Sequence, residues 1–269
     1  MFVHRCIKWL IYRPRRKRST ERTGTTEKAE ELYITATDGV KTVSYLFSAR
    51  EGAEEKETIV FMHGVSDCTE DRQKDAVRMV RKTGKSVFVV GYRGFCKGSR
   101  EWPDRKGIVL DAAASVAALR RKTSGRIIFH GQSLGTSVAL HVALQEVPDG
   151  LILENPFLSL KAVLTHKAGV LGSFFHFLAG ERWDSIDVVE ENKSVFERAN
   201  VLFLVSGSDT LVSPSNSEVL IKALRSHGAD VTCCVFRGAA HETLYKHESY
   251  FEEIKKYCEQ APGGKQASV

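Results

Sequence analysis

Three residues of the types used in acyl transfer lie far apart along the chain: Ser133, Asp209 and His241. Ser133 stands between two glycines in "GQSLG", where the apolar run "RIIF" gives way to a helical pattern. A serine hydroxyl is a weak nucleophile at neutral pH, so it needs a histidine to take its proton and a carboxylate to orient that histidine. These residue types therefore allow a Ser-His-Asp triad if the fold brings three distant loops together.

The elements that must position these residues alternate along the chain. From about residue 31, the runs "ELYITAT" and "VKTVSYLFSA" flank Asp38-Gly39, which predicts an antiparallel hairpin. The later runs are apolar throughout and are separated by amphipathic helices. Such a pattern is typical of a parallel sheet with helices on both faces. The sequence thus predicts an α/β fold with a mostly parallel central sheet.

Each candidate residue follows a predicted strand of this sheet. Ser133 follows "RIIFH", Asp209 ends the run "VLFLVSGSD", and His241 follows "DVTCCVFRG". The carboxyl ends of parallel strands meet at one edge, where functional groups collect, and the order Ser, Asp, His is that of α/β-hydrolases. Glu154, at the end of "LILEN", is the rival acid, and we rank it second because Asp209 lies nearer to His241 in strand order. Capping or turn roles would also explain all three residues.

Acyl transfer also needs backbone donors for a developing oxyanion. We predict the amide of Leu134, which directly follows Ser133 at a helix start, as one donor. The second is the amide of Val65, in the loop "MHGVSD" after the first parallel strand. His63 in the same loop has the alternative role of a simple strand-end turn.

Several motifs together resemble one family. They are "FMHGVSD", "GYRGFCKGS", "GQSLG", "ENPFLSL", "RWDS", "SGSDTLVSP" and the His241 loop. Over about residues 35 to 260 the chain resembles a serine hydrolase of the α/β-hydrolase superfamily, closest to the bud-emergence branch, whose members commonly carry an amino-terminal membrane anchor. The resemblance implies Ser133, Asp209 and His241 as the triad. It also implies cleavage of an ester or acyl thioester through an acyl-enzyme, with no metal or cofactor.

Two positions depart from that family: Val65 stands where Asn is usual, and Cys96 where Gly is usual. Neither change removes a backbone donor, so the departures concern the pocket lining and the substrate. Residues 157–198, between the sixth and seventh strands, are predicted to form a small cap. Its apolar residues either pack in the core or line a site for an acyl chain. The predicted substrate contacts are His63, Phe157, Phe174 and Phe175.

Positive charge is concentrated at the amino end. Residues 1–22 hold eight Lys/Arg and one acid, which leaves 31 basic and 32 acidic residues in the predicted hydrolase domain, 23–269. A near-neutral domain is a poor general nucleic-acid binder. The apolar residues of this arm fall on one side of a helical wheel, with His4, Arg5 and Lys8 on the other. The apolar stretch is too short to span a bilayer, which requires about 20 residues.

An amphipathic arm followed by the cluster "RRKR" predicts peripheral membrane binding, with the cations facing anionic head groups and Cys6 as an acylation site. A disordered basic tail and a nuclear address remain open. The six cysteines have no CxxC or metal-ligand spacing, so we predict reduced, mostly buried thiols and a location at the cytoplasmic face of a membrane. From a different functional class, a hydrolase-fold scaffold that binds partners without turnover is the alternative to an enzyme.

Overall fold

The fold is known from a computed structural model, which describes residues 2–14, 29–49, 57–65, 69–95 and 99–260. Its centre is an eight-stranded sheet of order β1-β2-β4-β3-β5-β6-β7-β8. The pairs β1-β2 and β2-β4 are antiparallel, and the six strands from β4 through β3 to β8 run parallel to one another. The predicted α/β class is confirmed. The strands are β1 (Glu30–Thr35), β2 (Lys41–Phe47), β3 (Glu57–Met62), β4 (Ser86–Val89), β5 (Arg126–Gln132), β6 (Gly150–Glu154), β7 (Asn200–Ser206) and β8 (Asp230–Phe236).

Helices pack on both faces of the sheet, and two hydrophobic clusters fill the layers between them. The two clusters form because the central strands carry apolar side chains on both faces, and the helices bury these side chains. The helices that follow the strands are α2 (Gln73–Thr83), α3 (Arg105–Arg120), α4 (Leu134–Ala143), α8 (Ser215–Ser226) and α9 (Tyr250–Glu259). The predicted hairpin is also confirmed: β1 and β2 pair directly around Asp38, and Gly39 takes the positive φ of 85° that this turn requires.

Three helices connect β6 to β7, in the segment predicted to be a cap. They are α5 (Leu160–Ala179), α6 (Ser185–Glu191) and α7 (Lys193–Phe196). Within α5 the helix breaks at Ala168 and Gly169, where Gly169 has φ 56° and ψ −137°. The two halves fold back on each other and meet closely at Gly172, where a Cβ would lie only 1.9 Å from the Leu164 carbonyl oxygen.

The amino-terminal helix α1 (Phe2–Tyr12) ends inside the domain. Tyr12 is fully buried, and its hydroxyl donates to Glu181 Oε2 (2.7 Å) and accepts from Trp183 Nε1 (2.9 Å). Lys8, predicted to face lipid head groups, instead pairs with Glu181 Oε1 at 2.7 Å, because this buried carboxylate needs a cation. Ile11 and Tyr12, at the end of α1, are therefore part of the core. Among the described residues, no helix combines the length and apolar character that crossing a bilayer requires.

The prediction of mostly buried cysteines is wrong for two of the four described thiols. Cys258 is buried and Cys234 half-buried, but Cys6 and Cys233 are exposed. Cys233 is exposed because β8 is an edge strand with one uncovered side. The other two cysteines, Cys68 and Cys96, lie outside the described residues.

One buried arginine ties the hairpin to the parallel half of the sheet. Arg93, just after β4, donates to both oxygens of Asp111 on α3 (2.9 and 2.7 Å) and to both oxygens of Asp38 in the hairpin turn (2.6 and 3.0 Å). Burial raises the pKa of Asp111, which is fully inaccessible, while Arg93 stabilises its charged form. Gly107 allows this packing, since a Cβ there would lie 2.5 Å from Arg93 Cδ.

Removing this buried carboxylate should destabilise the protein strongly. We expect Asp111→Ala to lower the free energy of unfolding by about 3–5 kcal/mol, because it leaves the Arg93 guanidinium partly unpaired in a buried site. Glu259→Ala removes a solvent-exposed partner of Lys255 (3.9 Å) and should cost at most about 1 kcal/mol. Urea denaturation of both variants measures the difference, and equal losses would contradict the role given to Arg93.

Candidate active site

Ser133 occupies a sharp turn between β5 and α4, with φ 52° and ψ −117°. Backbone in this region costs a non-glycine residue about 1–3 kcal/mol and persists only where neighbouring structure holds it. Here the Ser133 amide donates to the Glu154 carbonyl oxygen (2.9 Å), and its own carbonyl accepts from the Thr136 amide (2.9 Å) and hydroxyl (2.6 Å). The turn is therefore fixed on both sides.

The two glycines of "GQSLG" allow α4 to lie directly on the strand ends. A Cβ on Gly131 would lie 2.4 Å from the Gly135 carbonyl oxygen, and a Cβ on Gly135 only 1.8 Å from the Met62 carbonyl oxygen. Real Cβ atoms do not make such contacts, so any side chain at Gly135 would push α4 away from β3. The close packing brings the start of α4 next to the loop that follows β3.

Ser133, His241 and Asp209 form one chain of hydrogen bonds. His241 Nε2 lies 3.0 Å from Ser133 Oγ, and His241 Nδ1 lies 2.6 Å from Asp209 Oδ2. With Asp209 ionised, Nδ1 carries the proton and Nε2 is left to accept from the serine hydroxyl. Asp209 Oδ1 accepts from the amides of Leu211 (2.8 Å) and Val212 (2.9 Å), which fixes the carboxylate. The structure thus brings together the three residues selected from the sequence.

The rival acid Glu154 lies elsewhere. Its side chain is fully buried and accepts from Gln132 Nε2 (2.8 Å) and Tyr250 Oη (2.6 Å), and it lies 3.1 Å from His130 Nε2. Burial raises the pKa of Glu154, but hydrogen bonds from His130, Tyr250 and Gln132 lower it by more, so the pKa lies below its usual value. Glu154 therefore holds the sheet to α9, and Asp209 is the acid that contacts His241.

The two predicted oxyanion donors lie on adjacent elements. Leu134 is the first residue of α4, where backbone amides have no partner within the helix. Val65 is half-buried just beyond β3, and the contact between Gly135 and Met62 sets this loop beside the helix start. Both positions are compatible with amides directed at a substrate oxygen next to Ser133.

The four predicted substrate contacts lie in different environments. His63 is fully buried and donates from Nδ1 to the Gly64 carbonyl oxygen (2.8 Å), and its ring contacts that of Tyr92 at a centroid distance of 4.5 Å. Phe157 is buried in the core. Phe174 and Phe175 are 55% and 40% exposed on the second half of α5. Only the two α5 residues are accessible to a ligand in this conformation.

Asn155 is a functional candidate that sequence reasoning missed. It follows β6 with φ 48°, and its Nδ2 donates to the His241 carbonyl oxygen (3.1 Å) and to Ser206 Oγ (2.9 Å). Its Oδ1 accepts from the Ser206 amide (2.7 Å), and Ser206 Oγ donates to the Ala240 carbonyl oxygen (3.1 Å). One amide side chain therefore ties the His241 loop to the end of β7. The only sequence signal is that asparagine tolerates positive φ.

The family of the chain follows from residues 53–198, which match the family described as "Serine aminopeptidase, S33". This match covers more than half of the sequence and includes Ser133. The chain belongs to this family. It is an α/β-hydrolase of the bud-emergence type, as the sequence motifs predicted.

Two yeast proteins and one solved structure illustrate this relationship. Protein bem46 of Schizosaccharomyces pombe is 26% identical over 233 residues, which span 85% of this chain and 76% of that protein. An uncharacterised membrane protein of Saccharomyces cerevisiae is 29% identical over 182 residues, or 66% of this chain and 62% of that one. An esterase of Pyrococcus furiosus shares the fold with a TM-score of 0.72 at 16% identity, over 91% of this chain and 95% of its own.

The Asn155 amide can be tested by Asn155→Asp, which preserves size and the acceptor for Ser206 but places a carboxylate oxygen against the His241 carbonyl. We expect kcat on a p-nitrophenyl ester to fall about tenfold or more with little change in KM, because His241 is displaced while substrate binding is retained.

The matched control for this variant is Asn192→Asp, which removes an equivalent amide donor to the Val188 carbonyl oxygen in the cap. It should leave kcat unchanged. An Asn155→Asp protein with wild-type kcat, or equal losses in the two variants, would show that Asn155 does not position His241.

Proposed function

We propose that this chain is a serine hydrolase that cleaves a carboxylic ester or an acyl thioester through an acyl-enzyme. Ser133 is the nucleophile, His241 the general base and then acid, and Asp209 the group that orients His241 and supports its charge. The observation that carries the proposal is the unbroken chain of hydrogen bonds from Ser133 Oγ through His241 to Asp209, at 3.0 and 2.6 Å.

The chemistry proceeds in two balanced steps. In the first, Ser133 Oγ attacks the carbonyl carbon, its proton moves to His241 Nε2, and the alcohol or thiol leaves with that proton. In the second, water attacks the acyl-serine carbonyl carbon and gives a proton to Nε2, the bond to Ser133 Oγ breaks, and Nε2 returns that proton to Oγ as the acid is released. Amides of Leu134 and Val65 stabilise the oxyanion in both steps, and each such donor typically contributes about 10²–10³ in rate.

We further propose that the substrates are lipids or acylated proteins at the cytoplasmic face of a membrane. The support is the amphipathic, basic arm and the accessible Phe174 and Phe175, which would contact an acyl chain. Long-chain acyl thioesters on membrane proteins are the main variant of this proposal. The Saccharomyces relative that is named a membrane protein agrees with this setting.

Labelling with a fluorophosphonate probe tests the proposed function directly. Wild type should label, Ser133→Ala should not, and Asp209→Asn should label at least about a hundredfold more slowly because His241 loses its orienting partner. Glu154→Gln is the matched acid control, since Glu154 contacts His130 rather than His241, and it should label at a rate close to wild type.

Circular dichroism of each variant establishes that it is folded. A folded wild type that does not label would favour the scaffold alternative, in which the serine turn is only architecture. Slow labelling of Glu154→Gln together with normal labelling of Asp209→Asn would show that Glu154, and not Asp209, is the acid that supports His241.

A further inference from the structure

The second half of α5 exposes an unusual amount of apolar surface. Val170 and Phe177 are 86% and 80% exposed, and the exposed set follows helical spacing along one face. Half of the twelve large apolar side chains that are exposed among the described residues belong to this half-helix. Contiguous surface of this kind marks an interaction site rather than chance exposure. The face consists of Val170, Leu171, Phe174, Phe177 and Leu178.

A second exposed stripe runs along α1. Trp9 and Leu10 are 52% and 54% exposed, and Cys6 and Arg13 extend the same side of the helix at spacings of three and four residues. The opposite side carries Lys8 and faces the protein. The stripe is therefore exposed to solvent, while the opposite side of α1 packs against the protein.

Glu181 joins α1 to the end of α5. It lies just after the end of α5, and both Lys8 and Tyr12 of α1 contact its carboxylate. The backbone amide of Arg105, at the start of α3, donates to Glu181 Oε2 at 2.9 Å, the oxygen that Tyr12 also contacts. The position of Glu181 is therefore fixed by the main domain. Hence α1 is held next to the end of α5, and the two helices are in contact.

The exposed charges of the α5 segment are of one sign. From Leu160 to Arg182 the exposed charged residues are Lys161, Lys167 and Arg182, and the only acid, Glu181, is buried and paired. Arg13 is exposed at the end of α1, and the sequence continues with "RRKR". Apolar residues within a positive rim complement the acyl chains and anionic head groups of a bilayer.

We propose that these residues form one bilayer-docking surface, the cap-arm surface, made of Trp9, Leu10, Val170, Leu171, Phe174 and Phe177. The cap thus binds anionic lipid together with the arm, and Glu181 fixes the angle between them. Because α5 follows β6 at the sheet edge that carries Ser133, docking would bring the proposed active site to the lipid surface. Only this consequence rests on the proposed function, since the lipid contact itself requires no catalysis.

The test is co-sedimentation of the full-length protein with vesicles of phosphatidylcholine, alone or mixed with phosphatidylserine. Wild type should bind the mixed vesicles and bind the neutral ones at least about tenfold more weakly. Leu171→Ser/Phe177→Ser should weaken binding to mixed vesicles about tenfold or more, because two inserted side chains are lost. Val147→Ser/Val235→Ser is the matched control on surfaces that are equally exposed (60% and 58%), and it should bind as wild type.

Three results would overturn the proposal: no binding of wild type to mixed vesicles, wild-type binding of Leu171→Ser/Phe177→Ser, or an equal loss in the control variant. Self-association of wild type that Leu171→Ser/Phe177→Ser abolishes, without vesicle binding, would identify a second copy as the occupant instead. Fluorophosphonate labelling without vesicles reports Ser133 separately. A protein that labels but ignores lipid therefore refutes the docking surface alone, and one that binds lipid but does not label refutes only the catalytic role.

Discussion

The close contact of α4 with the ends of β3 and β5 determines where each group of the candidate site lies. It depends on Gly135, whose missing side chain lets the helix start reach the Met62 carbonyl. The chain must turn sharply to enter a helix so near the sheet, and the backbone strain of that turn lies at Ser133, which has a positive φ. The same turn lifts the serine hydroxyl to within reach of His241 and leaves the Leu134 amide at an open helix end.

Around this contact, hydrogen bonds at the ends of β6 and β7 fix the remaining groups. Residues Glu154 and Asn155 are neighbours but act on opposite sides of the sheet edge. The Glu154 side chain points with Ile152 toward the face covered by α9, where Tyr250 donates to it. Asn155 instead binds Ser206 and the His241 loop. One strand end therefore stabilises both the core and the position of the histidine.

The meeting of Ser133, Asp209 and His241 could be predicted because parallel strands end at a common edge, so position after a strand and chain order were sufficient to select them. Strand order alone favoured Asp209 over Glu154. The structure agrees, because the Glu154 side chain points to the face of the sheet that α9 covers, whereas Asp209 contacts His241. Asn155 could not be found, because its role consists of tertiary hydrogen bonds that no local pattern encodes. The burial of Lys8 against Glu181 was missed for the same reason.

The cap shows a different limit of sequence reasoning. The segment around Phe174 and Phe177 is apolar, but apolar content alone does not separate a core helix from an exposed one. The break at Gly169, which turns the second half of α5 back on the first, decides which side is uncovered. Phe174 lies on the surface as a result, whereas Phe157, which precedes α5, is buried in the core, although both were predicted as substrate contacts.

The central claim is that Ser133 becomes acylated, and mixing the protein with an excess of a p-nitrophenyl ester and following the first turnover tests it most directly. We predict a burst of one equivalent of p-nitrophenol, with the acyl mass found by mass spectrometry on the peptide that contains Ser133 and with no burst in Ser133→Ala. Steady ester hydrolysis without a burst or an adduct, unchanged in Ser133→Ala, would contradict the account and place the chemistry elsewhere in the molecule.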